Sequence, residues 1–260
     1  MDLSQIMIIG GTGRLGSRLM TRFPAATAPS RSELDLANPA AIGRALERHR
    51  PRLVVNAAGY TDVAAAETQR AACWESNVVG VSNLVQQLFG TSIGLLHVST
   101  DYVFDGQRGS YRESDTPGPT CNYYALTKLV GEQIAAALPD SLIVRTSFRE
   151  GTWPHPVAFQ DLYTSQDYLD VIAPDIALLI EHWGEFPDRV LQVATERKSA
   201  YELALRRRPD VKAGWRKDAK VSLPADISLD VSRWLALKKQ FSSSDKEVDL
   251  ESRLQRIHSV

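Results

Sequence analysis

The chain has 260 residues, 43% of them hydrophobic and 23% charged, enough to bury one large core or two small ones. Thirty basic and thirty-one acidic side chains nearly cancel, which argues against nucleic acid or an anionic membrane surface as the partner. No apolar run approaches the roughly 20 residues of a membrane span, and Cys73 and Cys121 have neither disulfide-framework nor metal-ligand spacing, so a metal-free cytoplasmic protein with no signal peptide is expected.

Residues 5–9 are a short apolar run and predict a central strand. Gly10-Gly11-Thr12-Gly13-Arg14-Leu15-Gly16 follows at once, and residues 17–22 predict a helix. Glycines let the backbone turn tightly and approach a pyrophosphate, while the helix start offers unpaired N–H groups and a positive dipole end. Lying between strand and helix, this G-x-x-G-x-x-G loop is a candidate dinucleotide cradle. A poorly marked second strand is placed at 25–28. Ser30 and Arg31 then stand where an acidic residue would take the ribose hydroxyls of NAD, so NADP(H) is the preferred cofactor, with NAD(H) the alternative. Asp35 and Leu36 are placed against the adenine.

Residues 38–50 predict a helix capped by Asn38 with Pro39 at its first position. The next strand, 53–56, ends in Asn56, Ala57, Ala58 and Gly59, small enough to let a cofactor lie close. A loop from Tyr60 leads into a long helix, 71–89. Its Asn77 either binds backbone or water at the crevice or packs between helices.

The apolar strand 93–98, with His97 as a core residue, ends in two hydroxyls, Ser99 and Thr100. A parallel strand opens onto a ligand crevice at that end. Tyr124 and Lys128 stand four apart in a helix predicted over 123–138, hence on one helical face. A phenol titrates near ~10, and an ammonium beside it favours the phenolate. With a hydroxyl opposite to hold a substrate oxygen, these groups form a proton-transfer site for a carbonyl/alcohol pair.

Residues 141–147 predict another central strand. Residues 151–156 form a turn-rich candidate lid whose Trp153 either stacks on a base or packs down. A helix over 167–183 with a break or kink at Pro174, a strand at 190–194, a helix at 200–207 and a polar tail complete the chain. Alternating strands and helices predict an α/β fold: a Rossmann-like, doubly wound parallel sheet with a small C-terminal substrate lobe. Residues 1–148 and a late strand near 189–194 are assigned to the sheet domain, 149–240 to the lobe and 241–260 to the tail.

In order and at plausible spacings, Gly10-x-x-Gly13-x-x-Gly16, Asn56-Ala-Ala-Gly59, Ser99-Thr100-Asp101-Tyr102-Val-Phe-Asp-Gly106 and Tyr124-x-x-x-Lys128 resemble an extended short-chain dehydrogenase/reductase. Within that class the chain is most similar to the dTDP-4-dehydrorhamnose reductase family, over roughly residues 5–148. The resemblance implies that Thr100 binds the sugar ketone, Tyr124 donates the proton, and Lys128 holds the nicotinamide ribose and tunes the tyrosine. It places Asp101 and Tyr102 in the sugar pocket. The family carries tryptophan after Arg-Thr-Ser; here Phe148 stands there. Arg197, before the 200–207 helix, either grips the pyrophosphate of a sugar nucleotide or is solvated. In the family, a segment like 224–234 packs back onto the substrate lobe. The implied activity is NAD(P)H-dependent reduction of a 4-keto nucleotide-activated deoxysugar, by a chain for which a homodimer is the default. The alternatives are a nucleotide-sugar epimerase of the same superfamily and a non-catalytic NADP-binding regulatory subunit resembling the beta subunit of methionine adenosyltransferase.

Overall fold

The computed structural model describes residues 2–219 and 223–243. In chain order, its first half comprises β1 (Ile6–Ile9), α1 (Arg14–Arg22), α2 (Pro39–His49), β2 (Leu53–Asn56), α3 (Arg70–Trp74), α4 (Gly80–Leu88), β3 (Gly94–Thr100), α5 (Tyr123–Ala135) and β4 (Ser141–Thr146). Four short strands follow, β5 (Phe148–Arg149), β6 (Val157–Phe159), β7 (Tyr163–Thr164) and β8 (Asp167–Tyr168). After them come α6 (Leu169–Glu181), β9 (Val190–Gln192), β10 (Lys198–Ser199), α7 (Ala200–Leu205) and β11 (Lys212–Gly214).

Five parallel strands make the central sheet, in the order β1-β2-β3-β4-β9. Their side chains alternate between two buried faces, which is why the strands are apolar throughout rather than every second residue. Ile6 and Ile8 join Val55, Leu96 and Val144 in a core covered by α1 and α6. Met7, Ile9, Val54 and Leu95 face the other way, against α2 and α4.

The weak strand expected at 25–28 is reduced to one bridge, Met7 with Thr27, on the free side of β1. It nonetheless makes two backbone bonds, Ile8 N–H to the Thr27 carbonyl at 2.8 Å and Thr27 N–H to Ile6 at 2.9 Å. The chain therefore leaves β1 on one side and returns on the other at β2. That reversal opens a crevice above the carboxyl end of β1, where the glycine loop lies.

Three expectations need correction. The long helix at 71–89 is interrupted by a π turn, Glu75–Val79, between α3 and α4. Helix α6 is continuous through Pro174, so of the expected break or kink the break does not occur. Residues 232–243 are helical, and Trp234, Leu237 and Phe241 are buried with α6 in the sheet's core, so only the earlier part of the 224–234 segment meets the lobe. Phe241 is thus a core residue rather than the start of a polar tail; residues 244–260 of that tail lie outside the described residues.

The lobe has its own small core of Trp153, Ala158, Tyr168, Leu203 and Val211. Three two-stranded pairings, β5 with β8, β6 with β11 and β7 with β10, hold it together. Because β5 begins two residues after β4 ends, the lobe hangs directly from the sheet's carboxyl edge, above the crevice. The 224–234 segment reaches it at Ala225 and Ile227, which bond the Tyr163 backbone.

Candidate active site

A cleft of about 1200 Å³ runs from the glycine loop across the carboxyl ends of β1 to β4 and under the lobe. At one end the glycines make a surface that side chains would fill. Gly10 has φ +83°, and a Cβ on it would stand 2.8 Å from the Ala58 backbone nitrogen. A Cβ on Gly16 would stand 2.1 Å from the Gly10 carbonyl oxygen, so α1 packs against the loop only because that position is glycine. Gly13 is the N-cap of α1 and offers no side-chain cap, which leaves the helix's first N–H groups for a ligand. This cradle fits a dinucleotide's pyrophosphate.

Gly10, Thr12, Gly13, Arg14 and Leu15 line the cleft. So do Arg31, Asp35 and Leu36 at its outer end, and Ala57, Ala58 and Gly59 on its floor. Ser30 does not: its N–H and hydroxyl are held by the Glu33 carboxylate at 2.9 and 2.8 Å. Asn56 lies beneath the floor, accepting from Ala58 N–H at 3.2 Å and meeting His97 Nδ1 at 3.2 Å. Asn77 is likewise a packing residue. The π turn brings its side chain against the next loop, where Oδ1 accepts from Tyr60 N–H at 2.8 Å and Nδ2 donates to the Tyr60 carbonyl at 3.1 Å. The same Nδ2 reaches Thr127 Oγ1 at 3.1 Å, and Thr127 donates to the Tyr124 carbonyl at 2.8 Å. Asn77 thereby ties the cleft floor to the helix carrying Tyr124.

The far end gathers Ser99, Thr100, Tyr124 and Lys128 on one wall. Helix α5 starts at Asn122, whose side chain caps Ala125 N–H at 2.8 Å, and Tyr123 N–H donates to Glu67 at 2.8 Å. A Cβ on Gly131 would stand 2.3 Å from the Asn77 carbonyl oxygen, so glycine lets α5 lie close to the π turn. Burial pushes the Tyr124 phenol well above the ordinary range, and the Thr100 hydroxyl acts the other way without overcoming it. Lys128 Nζ donates to the Val98 carbonyl at 2.8 Å. Burial lowers its pKa to about 8, with the Glu132 carboxylate pulling the other way. The lysine thus rests on the strand carbonyl, and it is burial that sets the phenol here, opposite in sign to the effect expected from a neighbouring ammonium.

Thr100 donates to Asp101 Oδ1 at 3.1 Å. Burial raises the Asp101 carboxyl to about 7, against hydrogen bonds from Thr100 and Ser147. Asp101 is only 1% exposed and supports Thr100 from behind, whereas Tyr102 faces the cleft with its ring 6.0 Å from that of Tyr124. Burial pushes the Tyr102 phenol up to about 12.

Of the residues expected to hold substrate, Thr100, Tyr102 and Phe148 line the cleft. Trp153 and Arg197 do not. Trp153 packs down into the lobe core, its indole N–H donating to the Val157 carbonyl at 3.4 Å. Arg197 bonds Asp226 at 2.7 Å and lies 3.7 Å over the Tyr163 ring. Sequence reasoning also passed over several groups. Glu132, one turn beyond Lys128, is 1% exposed, accepts from Ser99 at 2.6 Å and pairs with buried Arg145 at 2.7 Å. A carboxylate at the same four-residue interval as the Tyr/Lys pair, and an arginine inside the apolar run of β4, were the available signals. Arg149 and Gln166 line the cleft from the lobe side, Gln166 donating to Ser147 at 2.7 Å.

The doubly wound parallel sheet, the glycine turn at its reversal and the Tyr/Lys pair on the adjoining helix define a Rossmann-like fold of the extended short-chain dehydrogenase/reductase class. The chain belongs to the family described as RmlD substrate binding domain, whose model matches residues 4–173. A dTDP-4-dehydrorhamnose reductase from Aggregatibacter actinomycetemcomitans is 34% identical over 184 residues, which are 67% of this chain and 62% of that one. Against one from Mycobacterium tuberculosis the identity is 37% over 55% of this chain and 50% of the relative. The chain thus spans between half and two-thirds of the length of these relatives. The structure of a hypothetical dTDP-4-dehydrorhamnose reductase from Sulfolobus tokodaii superposes with a TM-score of 0.78 at 29% identity, covering 89% of this chain and 94% of that one. Among the described residues, no helix is long and apolar enough to cross a membrane, and no group of His, Cys, Asp and Glu is placed to hold a metal ion.

Proposed function

We propose that the chain is an NADPH-dependent reductase of a 4-keto, nucleotide-activated deoxysugar. One observation carries this reading: Thr100, Tyr124 and Lys128 stand together on the wall of the same cleft that the glycine loop opens at its other end. The names of the relatives support the substrate class.

The glycine turn and the start of α1 take the cofactor's pyrophosphate, and Ala57 to Gly59 keep the floor low enough for it to lie across the sheet. Arg31 lines the adenosine end; Glu33, two residues on, is folded back on Ser30, and Asp35, which also lines the cleft, accepts from the Ala37 N–H at 3.0 Å. A guanidinium at this end, with the nearby carboxylates turned to their own backbone N–H groups, suits a 2′-phosphate, hence NADPH over NADH. When bound, the reduced nicotinamide supplies a hydride.

The protein's own contribution is position and a proton. Thr100 and Tyr124 line the same wall of the cleft, so a ketone oxygen entering between them meets two hydroxyls. Burial keeps Tyr124 protonated at neutral pH, which makes it the acid for reduction. Proton transfer from its hydroxyl to the oxygen completes the alcohol. Lys128, charged below about pH 8, then stabilises the phenolate left behind. From outside the cleft, Asp101 holds the Thr100 hydroxyl and Asn77, through Thr127, holds the backbone of the helix turn that carries Tyr124.

Replacing Tyr124 with Phe removes one hydroxyl from a helix whose packing is otherwise unchanged. Turnover of a keto-sugar nucleotide falls at least ~100-fold, the usual weight of a general acid, while NADPH affinity measured by fluorescence titration is retained. Near-normal turnover would show that another group supplies the proton. Substrate interconversion without net loss of reduced cofactor would identify an epimerase instead.

A further inference from the structure

The sequence offered Arg197 as the cation for the substrate's pyrophosphate, and the structure removes it from the cleft. It supplies another in its place. Arg149 ends β5, three residues beyond Thr146, whose Cα pairs with Thr100 across β3 and β4. It lines the cleft beside Tyr102 and Gln166. Its guanidinium lies 4.4 Å over the Trp153 ring, so the indole covers one flat face and fixes its plane.

Among the described residues Arg149 forms no ion pair, and its Nε, shielded from solvent, has no hydrogen-bond partner. Burial works against its charge, and only more distant groups, Tyr102, Tyr168 and Asp101, favour it. Glu150, its exposed neighbour, lines the same cleft without reaching it. The other arginines described in the lobe are paired: Arg197 with Asp226, Arg206 with Asp167 and Glu196, Arg207 with Asp170, Arg208 with Asp210 and Arg216 with Asp161. A guanidinium remains charged at any ordinary pH. Half-buried without an ion-pair partner, stacked on one face and lining the same cleft as the reacting hydroxyls, it is a preformed fork for an oxyanion.

We propose that Arg149 binds the diphosphate of the nucleotide-activated sugar and so fixes the ring with its keto carbon against Thr100 and Tyr124. This deepens the reading of the chain as a reductase of such a sugar and rests on it.

The test uses NADP⁺-saturated protein, which fills the glycine cradle with its own pyrophosphate. Inorganic pyrophosphate, dTDP, thymidine and malonate are titrated calorimetrically into wild type, Arg149→Met and Arg149→Lys. Met keeps an apolar stem over Trp153; Lys keeps the charge but not the fork, and a thermal melt of each variant confirms folding. For Arg149→Met, binding of dTDP and of pyrophosphate falls at least ~10-fold, as expected for a charge-assisted bidentate contact. Arg149→Lys lies between, and thymidine and NADP⁺ bind as before. Equal dTDP affinity in wild type and Arg149→Met overturns the proposal. So does Arg149-dependent binding of malonate without binding of pyrophosphate, which would assign the site to a carboxylate. If pyrophosphate binds through Arg149 but no keto-sugar nucleotide is reduced, the reductase reading fails and the anion site stands.

Discussion

Lys128 is a residue the fold tolerates at a cost, and that cost can be measured. Its side chain is 8% exposed, and burial lowers its pKa from 10.5 to about 8 even with Glu132 acting to raise it. Each tenfold change in proton affinity is worth roughly 1.4 kcal/mol, so the ammonium destabilises the folded state by about 3 kcal/mol at neutral pH. The Lys128→Met variant removes that charge and keeps the stem. It also gives up the 2.8 Å hydrogen bond to the Val98 carbonyl, worth about 1 kcal/mol. The net is a gain of about 2 kcal/mol for the variant at pH 7, or roughly 4–8 °C in melting temperature for a chain of this size. The sign with pH follows from linkage. Because the folded pKa lies below the unfolded one, the unfolded chain binds more protons between about pH 8 and 10.5, and wild type gains stability as pH rises through that window. Urea unfolding of both proteins at pH 7, 9 and 10.5 should show the variant's advantage shrinking across the window, while its turnover is lost throughout. A variant no more stable than wild type at pH 7, or an advantage that does not change with pH, refutes the reasoning.

Two further substitutions probe other parts of the site. Arg31→Ala weakens NADPH binding by about 1.5–3 kcal/mol, the weight of a charged hydrogen-bonded contact, and leaves NADH binding within twofold; equal losses in parallel titrations would remove the 2′-phosphate argument. Glu132→Gln strands Arg145, which is 3% exposed, and costs about 3–5 kcal/mol by urea unfolding. The double variant Glu132→Gln/Arg145→Met recovers more than half of that, and failure to recover would show that the pair does not act as a unit.

The parts of the site legible in the sequence were those whose chemistry is local. The glycine turn is read from spacing because a backbone that must approach Ala58 and the Gly10 carbonyl admits no Cβ. The Tyr124/Lys128 pair is read because a four-residue interval on a helix needs nothing else to bring two side chains to one face. What escaped depends on partners far away in the chain. Arg197 and Arg149 look alike as basic residues near strand ends; only the fold gives the first Asp226 to bond and leaves the second unpaired. Trp153 was ambiguous for the same reason, since nothing nearby announces the pocket formed by Leu203 and Val211. The π turn has no local signature either, because the apolar spacing of 71–89 suits an uninterrupted helix.

That turn bears on why the proton donor stays where it is. Helix α5 buries Lys128 and Glu132 against the sheet and Thr127 against α3 and the π turn, where an ordinary crossover helix would bury leucine. Apolar packing allows a helix to slide or roll by a fraction of a turn at small cost, because the contacts are not directional. Hydrogen bonds are directional, and breaking a buried one costs about 1–3 kcal/mol for each group left unpaired. Asn77, set into place by the extra residue of the π turn, grips Thr127 on one side of Lys128. Ser99 and Arg145 grip Glu132 on the other. A roll of α5 that moved Tyr124 away from Thr100 would break both grips together. The register of the helix is therefore held by its polar face, and the apolar residues flanking it supply stability without deciding where the phenol points.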